Sequence, residues 1–232
     1  MANVRQIVTI MGVTALLIIA IGLWIEQGNK EPEVVLKGVE TLDGPLAPEE
    51  LEVTQPLITN EMNRIANIIT NKGVIKIELF EDQMPITTGN FIKLAEEGFY
   101  DNTKFHRIIQ GFMIQGGDPN TRSDEVLTYG TGGPGYTIQD EFVEGELLTN
   151  KRGTIAMANT GQPNSGGSQF FINTVDNYSL DFNKEPLTSK HPVFGRVVEG
   201  LDIVDTIAGT ETGERDVPVE PIVIESVTIE SQ

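Results

Sequence analysis

A mainly β domain of short strands, closed as a barrel or stacked as a sandwich, is predicted over residues 63–232 by three observations. Many short β-prone runs are punctuated by glycine-rich turns, only two stretches keep helical spacing, and no repeat of fixed period divides the chain.

The elements follow in order. Residues 65–70 and 74–79 are β-prone and flank Asn71-Lys72-Gly73, where glycine makes a positive φ cheap, so they form a hairpin. Pro85 suits the first turn of a helix whose Phe91, Leu94 and Ala95 share one face and which Gly98 ends. Further strands are expected at 105–109, 112–114, 153–157, 169–172 and 193–198. A second helix over 201–208 places Leu201, Val204 and Ala208 on one side, and 222–229 closes the chain as a strand.

Composition removes several functions. The 232 residues include no cysteine, so disulfides, thiolate zinc sites and cysteine nucleophiles are absent, and His106 and His191 are too few for most histidine-built metal sites. No cofactor is expected. A formal net charge of -18 repels a phosphate backbone, which argues against a nucleic-acid partner.

Two segments precede the domain. Residues 7–25 carry no charge, and as a helix they would reach about 28 Å, near the thickness of a bilayer core. An N-terminal transmembrane helix within residues 1–26 is therefore expected, a cleaved signal peptide being the alternative. Arg5 lies before it and Glu26, Glu31 and Glu33 with a lone Lys30 after it, which orients the bulk of the chain to the extracytoplasmic side. Residues 27–62, with Pro32, Pro45, Pro48, Pro56 and many acids, read as an extended linker.

Gly130-Thr131-Gly132-Gly133-Pro134-Gly135 has the spacing of a dinucleotide fingerprint without its context, since Pro134 interrupts it and no amphipathic helix follows. Ser168 lacks the G-x-S-x-G elbow of a hydrolase nucleophile. The stretch 104–118 is more informative: strand alternation sets Arg107 and Ile109 opposite Ile108, and places a cation beside Phe112 and Met113 with the Gln115 amide near. Spacing alone leaves open a surface arginine beside ordinary core residues.

Three blocks settle on a family. Phe105-His106-Arg107 through Gly116-Gly117-Asp118, Met157-Ala158-Asn159-Thr160-Gly161 through Phe170-Phe171-Ile172, and His191-Pro192-Val193-Phe194-Gly195-Arg196-Val197 resemble the cyclophilin family, in its order and over nearly all of residues 63–232. The resemblance implies a closed eight-stranded antiparallel barrel capped by two helices, and peptidyl-prolyl cis-trans isomerase activity on X-Pro bonds of protein clients. The alternative class is a non-catalytic module or chaperone that binds proline-containing segments.

By the same resemblance, Arg107 is the catalytic cation, Phe112, Met113 and Phe171 wall the proline pocket, and Gln115 orients the chain. Ala158, Asn159 and Gln169 match the peptide-backbone groove, and Leu180 and His191 its far rim. Ser179 stands where the family often has tryptophan, and the segment 182–190 is longer than in short members, so binding of the peptide drug cyclosporin is expected to be weak.

Overall fold

The computed structural model describes residues 63–185 and 190–230. The expected anchor over 1–26, the linker over 27–62 and part of the insertion over 182–190 lie outside the described residues. Among the described residues, no helix is long and apolar enough to cross a membrane.

Among the described residues, nine strands form one antiparallel sheet that curls into a nearly closed barrel. They are β1 (Ile65–Thr70), β2 (Gly73–Leu79), β3 (Thr103–Phe105), β4 (Arg107–Ile109), β5 (Met113–Gly116), β6 (Thr154–Met157), β7 (Phe170–Asn173), β8 (Val193–Glu199) and β9 (Ile222–Ile229). Their order across the sheet is β3-β9-β1-β2-β8-β6-β7-β5-β4. The two edges, β3 and β4, are neighbours in the chain, separated by His106 alone, so the covalent chain bridges the gap between them.

That bridge corrects the expected count of eight. The run foreseen as one strand over 105–109 starts at Thr103 and breaks at His106, because its two halves pair with different partners, β9 on one side and β5 on the other. Register shifts at Ile69/Thr70, Lys76/Ile77 and Ile155/Ala156 add the local bend and twist that a sheet needs to curl.

Alternation decides what is inside. Along β1 the pattern buries Ala66, Ile68 and Thr70 while leaving Ile65, Asn67 and Ile69 partly open. Phe91, Tyr100, Phe105, Phe170 and Phe194 are fully enclosed in the same core. Removing one such aromatic side chain from water contributes roughly 2 to 3 kcal/mol.

Helix α1 (Pro85–Glu96) begins with Pro85 at its first turn, as its fixed φ favours. Its free N-terminal donors are met from a distance: Glu141 accepts from the backbone of Ile86 at 3.1 Å and of Thr87 at 2.8 Å. Phe91, Leu94 and Ala95 are buried as expected, and Phe91 meets Tyr100, Phe170 and Phe194 at centroid distances of 5.1, 5.6 and 5.4 Å. Helix α2 (Leu201–Ala208) has the expected bounds but a rotated buried face. Val204, Ile207 and Ala208 face the core, whereas Leu201 is 36% exposed, because its place at the first helical position lies beyond the packed turn.

Candidate active site

The strands β4, β5 and β7 set a row of side chains on the outer face of the barrel. Arg107 pairs across the ladder with Gln115, and Gln115 with Phe171. Period-two alternation then puts Met113 on the same face as Gln115. Ile108, Ile114 and Ile172, one residue out of phase, turn into the core. A cation, an amide and two apolar walls thus share one surface for the same reason that three isoleucines share the interior.

These residues border an open cavity of about 600 Å³. Arg107, Phe112, Met113, Gln115, Ala158, Asn159, Phe171, Leu180 and His191 all line it. Gln169 does not: it stands behind Gln115, accepting from the Gln115 amide at 2.9 Å and donating to the Gly132 carbonyl at 2.9 Å. Met113 is buried and forms the floor, while Phe112 remains partly open.

The walls are fixed by a buried polar network. The carbonyl of Phe112 accepts from Asn177 Nδ2 at 2.8 Å and from the Thr174 amide at 3.0 Å. Asn177 also donates to Asn173, Asn173 to Asn150, and Asn150 to Asp181. On the far side, the His191 amide donates to the Leu180 carbonyl at 3.0 Å, and the His191 ring stands edge-on to Phe171 at 5.3 Å. Asn159 Nδ2 is held on the Lys190 carbonyl at 2.7 Å, and its Oδ1 accepts from the Gly161 amide at 3.0 Å.

Burial pushes the imidazole of His191 below its ordinary range, against the pull of the Met157 carbonyl. Burial does the same to His106, opposed by the nearby carboxylate of Asp118. Both rings are neutral at pH 7 on this account.

Other motifs take structural places. Ser168 is buried and its hydroxyl donates to the Gly117 carbonyl at 2.7 Å, so it is a brace rather than a nucleophile. The glycine-rich loop at 130–135 leads to no helix; it packs over Asp118, whose Oδ2 accepts from the Gly130 amide at 2.5 Å.

Seven cavity residues were not legible beforehand: His106, Tyr129, Gly130, Thr131, Arg215, Asp216 and Val217. Asp216 matters most, because its Oδ2 lies 3.3 Å from Arg107 Nε. The two are 109 residues apart, and no local pattern signals such a pairing.

The family model for cyclophilin-type peptidyl-prolyl cis-trans isomerase/CLD matches residues 65–229. The chain belongs to the cyclophilin-type peptidyl-prolyl cis-trans isomerase family. Among its relatives, peptidyl-prolyl cis-trans isomerase B of Escherichia coli K12 is 47% identical over 165 residues, covering 69% of this chain and 96% of that one. The probable peptidyl-prolyl cis-trans isomerase A of Mycobacterium leprae is 40% identical over 191 residues, covering 74% of this chain and 96% of its own. A cyclophilin-type isomerase of Cryptosporidium parvum, crystallised in the presence of the dipeptide Ala-Pro, superposes with a TM-score of 0.62 at 34% identity, covering 72% of this chain and 99% of that one. This cyclophilin is accordingly a peptidyl-prolyl cis-trans isomerase.

Proposed function

We propose that the cavity holds a proline ring against Phe112, Met113 and Phe171 while Arg107 stabilises the twisted X-Pro bond. The observation that carries this reading is the ladder row of Arg107, Gln115 and Phe171, which sets one fixed cation beside an apolar pocket on a single face. The Ala-Pro dipeptide present with the Cryptosporidium parvum relative supports a proline-containing polypeptide as the client.

Amide resonance opposes rotation with a barrier of about 18 to 20 kcal/mol, and uncatalysed X-Pro exchange takes tens to hundreds of seconds. No bond breaks. In the twisted state the imide nitrogen becomes pyramidal and exposes a lone pair, which the planar ground state lacks. A guanidinium donor at Arg107 therefore interacts more strongly as the bond twists, which is the condition for raising rate rather than only binding. Gln115 and Asn159 hold the chain on either side, with Ala158, Leu180 and His191 as the remaining borders and Gln169 acting through Gln115.

The same proposal extends to location. The uncharged stretch at 7–25 supports a single-pass anchor, the proline-rich acidic segment a spacer, and the flanking charges an extracytoplasmic domain that assists folding of exported clients. Carbonate extraction of membranes and protease access to spheroplasts test it; a soluble mature chain starting near Leu23 would replace the anchor with a cleaved signal.

The catalytic reading is tested by Arg107→Ala. A charge-assisted hydrogen bond is worth roughly 1.5 to 3 kcal/mol, so kcat should fall about ten- to a hundred-and-fifty-fold while peptide affinity changes little. Lysine should restore only part of the rate, since it lacks the planar donor array. Wild-type kcat/KM in a folded Arg107→Ala variant would refute the assignment.

A further inference from the structure

The carboxylate of Asp216 reaches Arg107 from outside the barrel sheet, its Oδ2 accepting from Nε at 3.3 Å. It is the one side-chain partner of Arg107 recorded among the described residues. Since Nε is the inner nitrogen of the guanidinium, a bond there fixes the plane of the group and leaves the two terminal Nη groups to donate elsewhere.

The backbone that delivers Asp216 is unusual. It ends the short turn Glu214–Asp216, where both Arg215 and Asp216 are left-handed, with φ of 62° and 61°. Side chains with a Cβ adopt that region at a cost, and two in succession persist only where surrounding contacts over-determine them. Those contacts are present. Arg215 donates to the Val126 carbonyl at 2.9 Å and to the Tyr129 carbonyl at 3.2 Å. The Gly213 amide donates to Val217 at 2.8 Å and the Val219 amide to Glu211 at 2.9 Å, closing the turn at its base.

We infer that Asp216 is a positioning residue for the isomerisation, holding the Arg107 guanidinium in the orientation from which its terminal nitrogens meet the imide nitrogen. This rests on the role given to Arg107 above. The pair is partly open to water, with side chains 42% and 45% exposed, so it contributes little to folding. Its effect belongs instead to the rate, because a long unrestrained side chain spends only part of its time in the productive rotamer.

Asp216→Asn is the variant to read, since asparagine tolerates a left-handed backbone and keeps the turn while removing the ionic anchor. In the full-length protein, with a tetrapeptide containing Ala-Pro as probe, kcat should fall about two- to fivefold. Peptide affinity by titration and the melting temperature should stay at wild-type values, and adding Asp216→Asn to Arg107→Ala should cause no further loss. Wild-type kcat for Asp216→Asn beside a loss for Arg107→Ala would overturn this inference alone. So would an equal fractional loss in the Arg107→Ala background, or a loss confined to affinity. Full kcat for Arg107→Ala would overturn it together with the reading on which it rests.

Discussion

Gln115 and Gln169 are joined amide to amide, with Gln115 Nε2 donating to Gln169 Oε1 at 2.9 Å while Gln169 Nε2 donates to the Gly132 carbonyl at 2.9 Å. The second bond fixes which end of Gln169 faces Gln115, and so fixes the direction of the Gln115 amide in the groove. The glycine-rich loop, which borders the cavity directly through Gly130 and Thr131, thereby also acts on it through Gln169, a side chain that does not itself line it.

Gln169→Ala should consequently lower kcat/KM about two- to tenfold, the worth of one neutral hydrogen bond, without unfolding the domain. Gln169→Glu should lose more, because a carboxylate cannot donate to the Gly132 carbonyl and would face it acceptor to acceptor. Peptide isomerisation kinetics on both variants are the check; an equal or smaller loss for glutamate would contradict the assigned orientation.

Gly117→Ala should destabilise the domain by about 2 to 4 kcal/mol. Gly117 has φ of 84°, and an added Cβ would lie 2.4 Å from the Ser168 carbonyl oxygen, a backbone atom that cannot swing aside. Urea unfolding is the measurement, and a change of less than about 0.5 kcal/mol would mean that the approach relaxes at little cost.

Stability should decline as pH falls through the imidazole range. Burial lowers the folded-state pKa of His106 and His191 from the ordinary 6.5, so below that value the unfolded chain takes up protons that the folded chain does not. The contribution is complete above about pH 6.5 and is lost progressively down to the folded values. Glu81, lowered by its hydrogen bond to Arg64, and Asp205, lowered by its hydrogen bond to Arg152, add a second loss in the carboxylate range. Urea midpoints at pH 7.5 and 5.5 compare the two regimes; a higher midpoint at 5.5 would reverse the sign.

Cyclosporin should bind weakly, with Kd about 1 μM or higher. The one tryptophan of the chain is Trp24, far before the domain in sequence, and Ser179 occupies an exposed position in the 3-10 turn Tyr178–Leu180. Phe182, at the start of the insertion, stacks on Phe142 at 5.4 Å and does not line the groove. Calorimetric titration tests this, and nanomolar affinity would show that another side chain supplies the missing contact.

The three blocks that carry the family were read by resemblance to it, whereas local pattern alone placed Arg107 and Ile109 opposite Ile108, started α1 at Pro85, and bounded β9 at residues 222–229 and α2 at 201–208. These follow from periodicity and from the steric rules of proline and glycine, which act within a few residues. Tertiary structure decided what depends on partners distant in the chain. Strand β4 separates from β3 because β5 and β9 claim them separately, and Leu201 stays half open because α2 meets the barrel through Val204 and Ile207. Gln169 stands behind Gln115 rather than in the groove, and Asp216 arrives at Arg107 across 109 residues on a turn whose left-handed backbone only its surroundings hold in place.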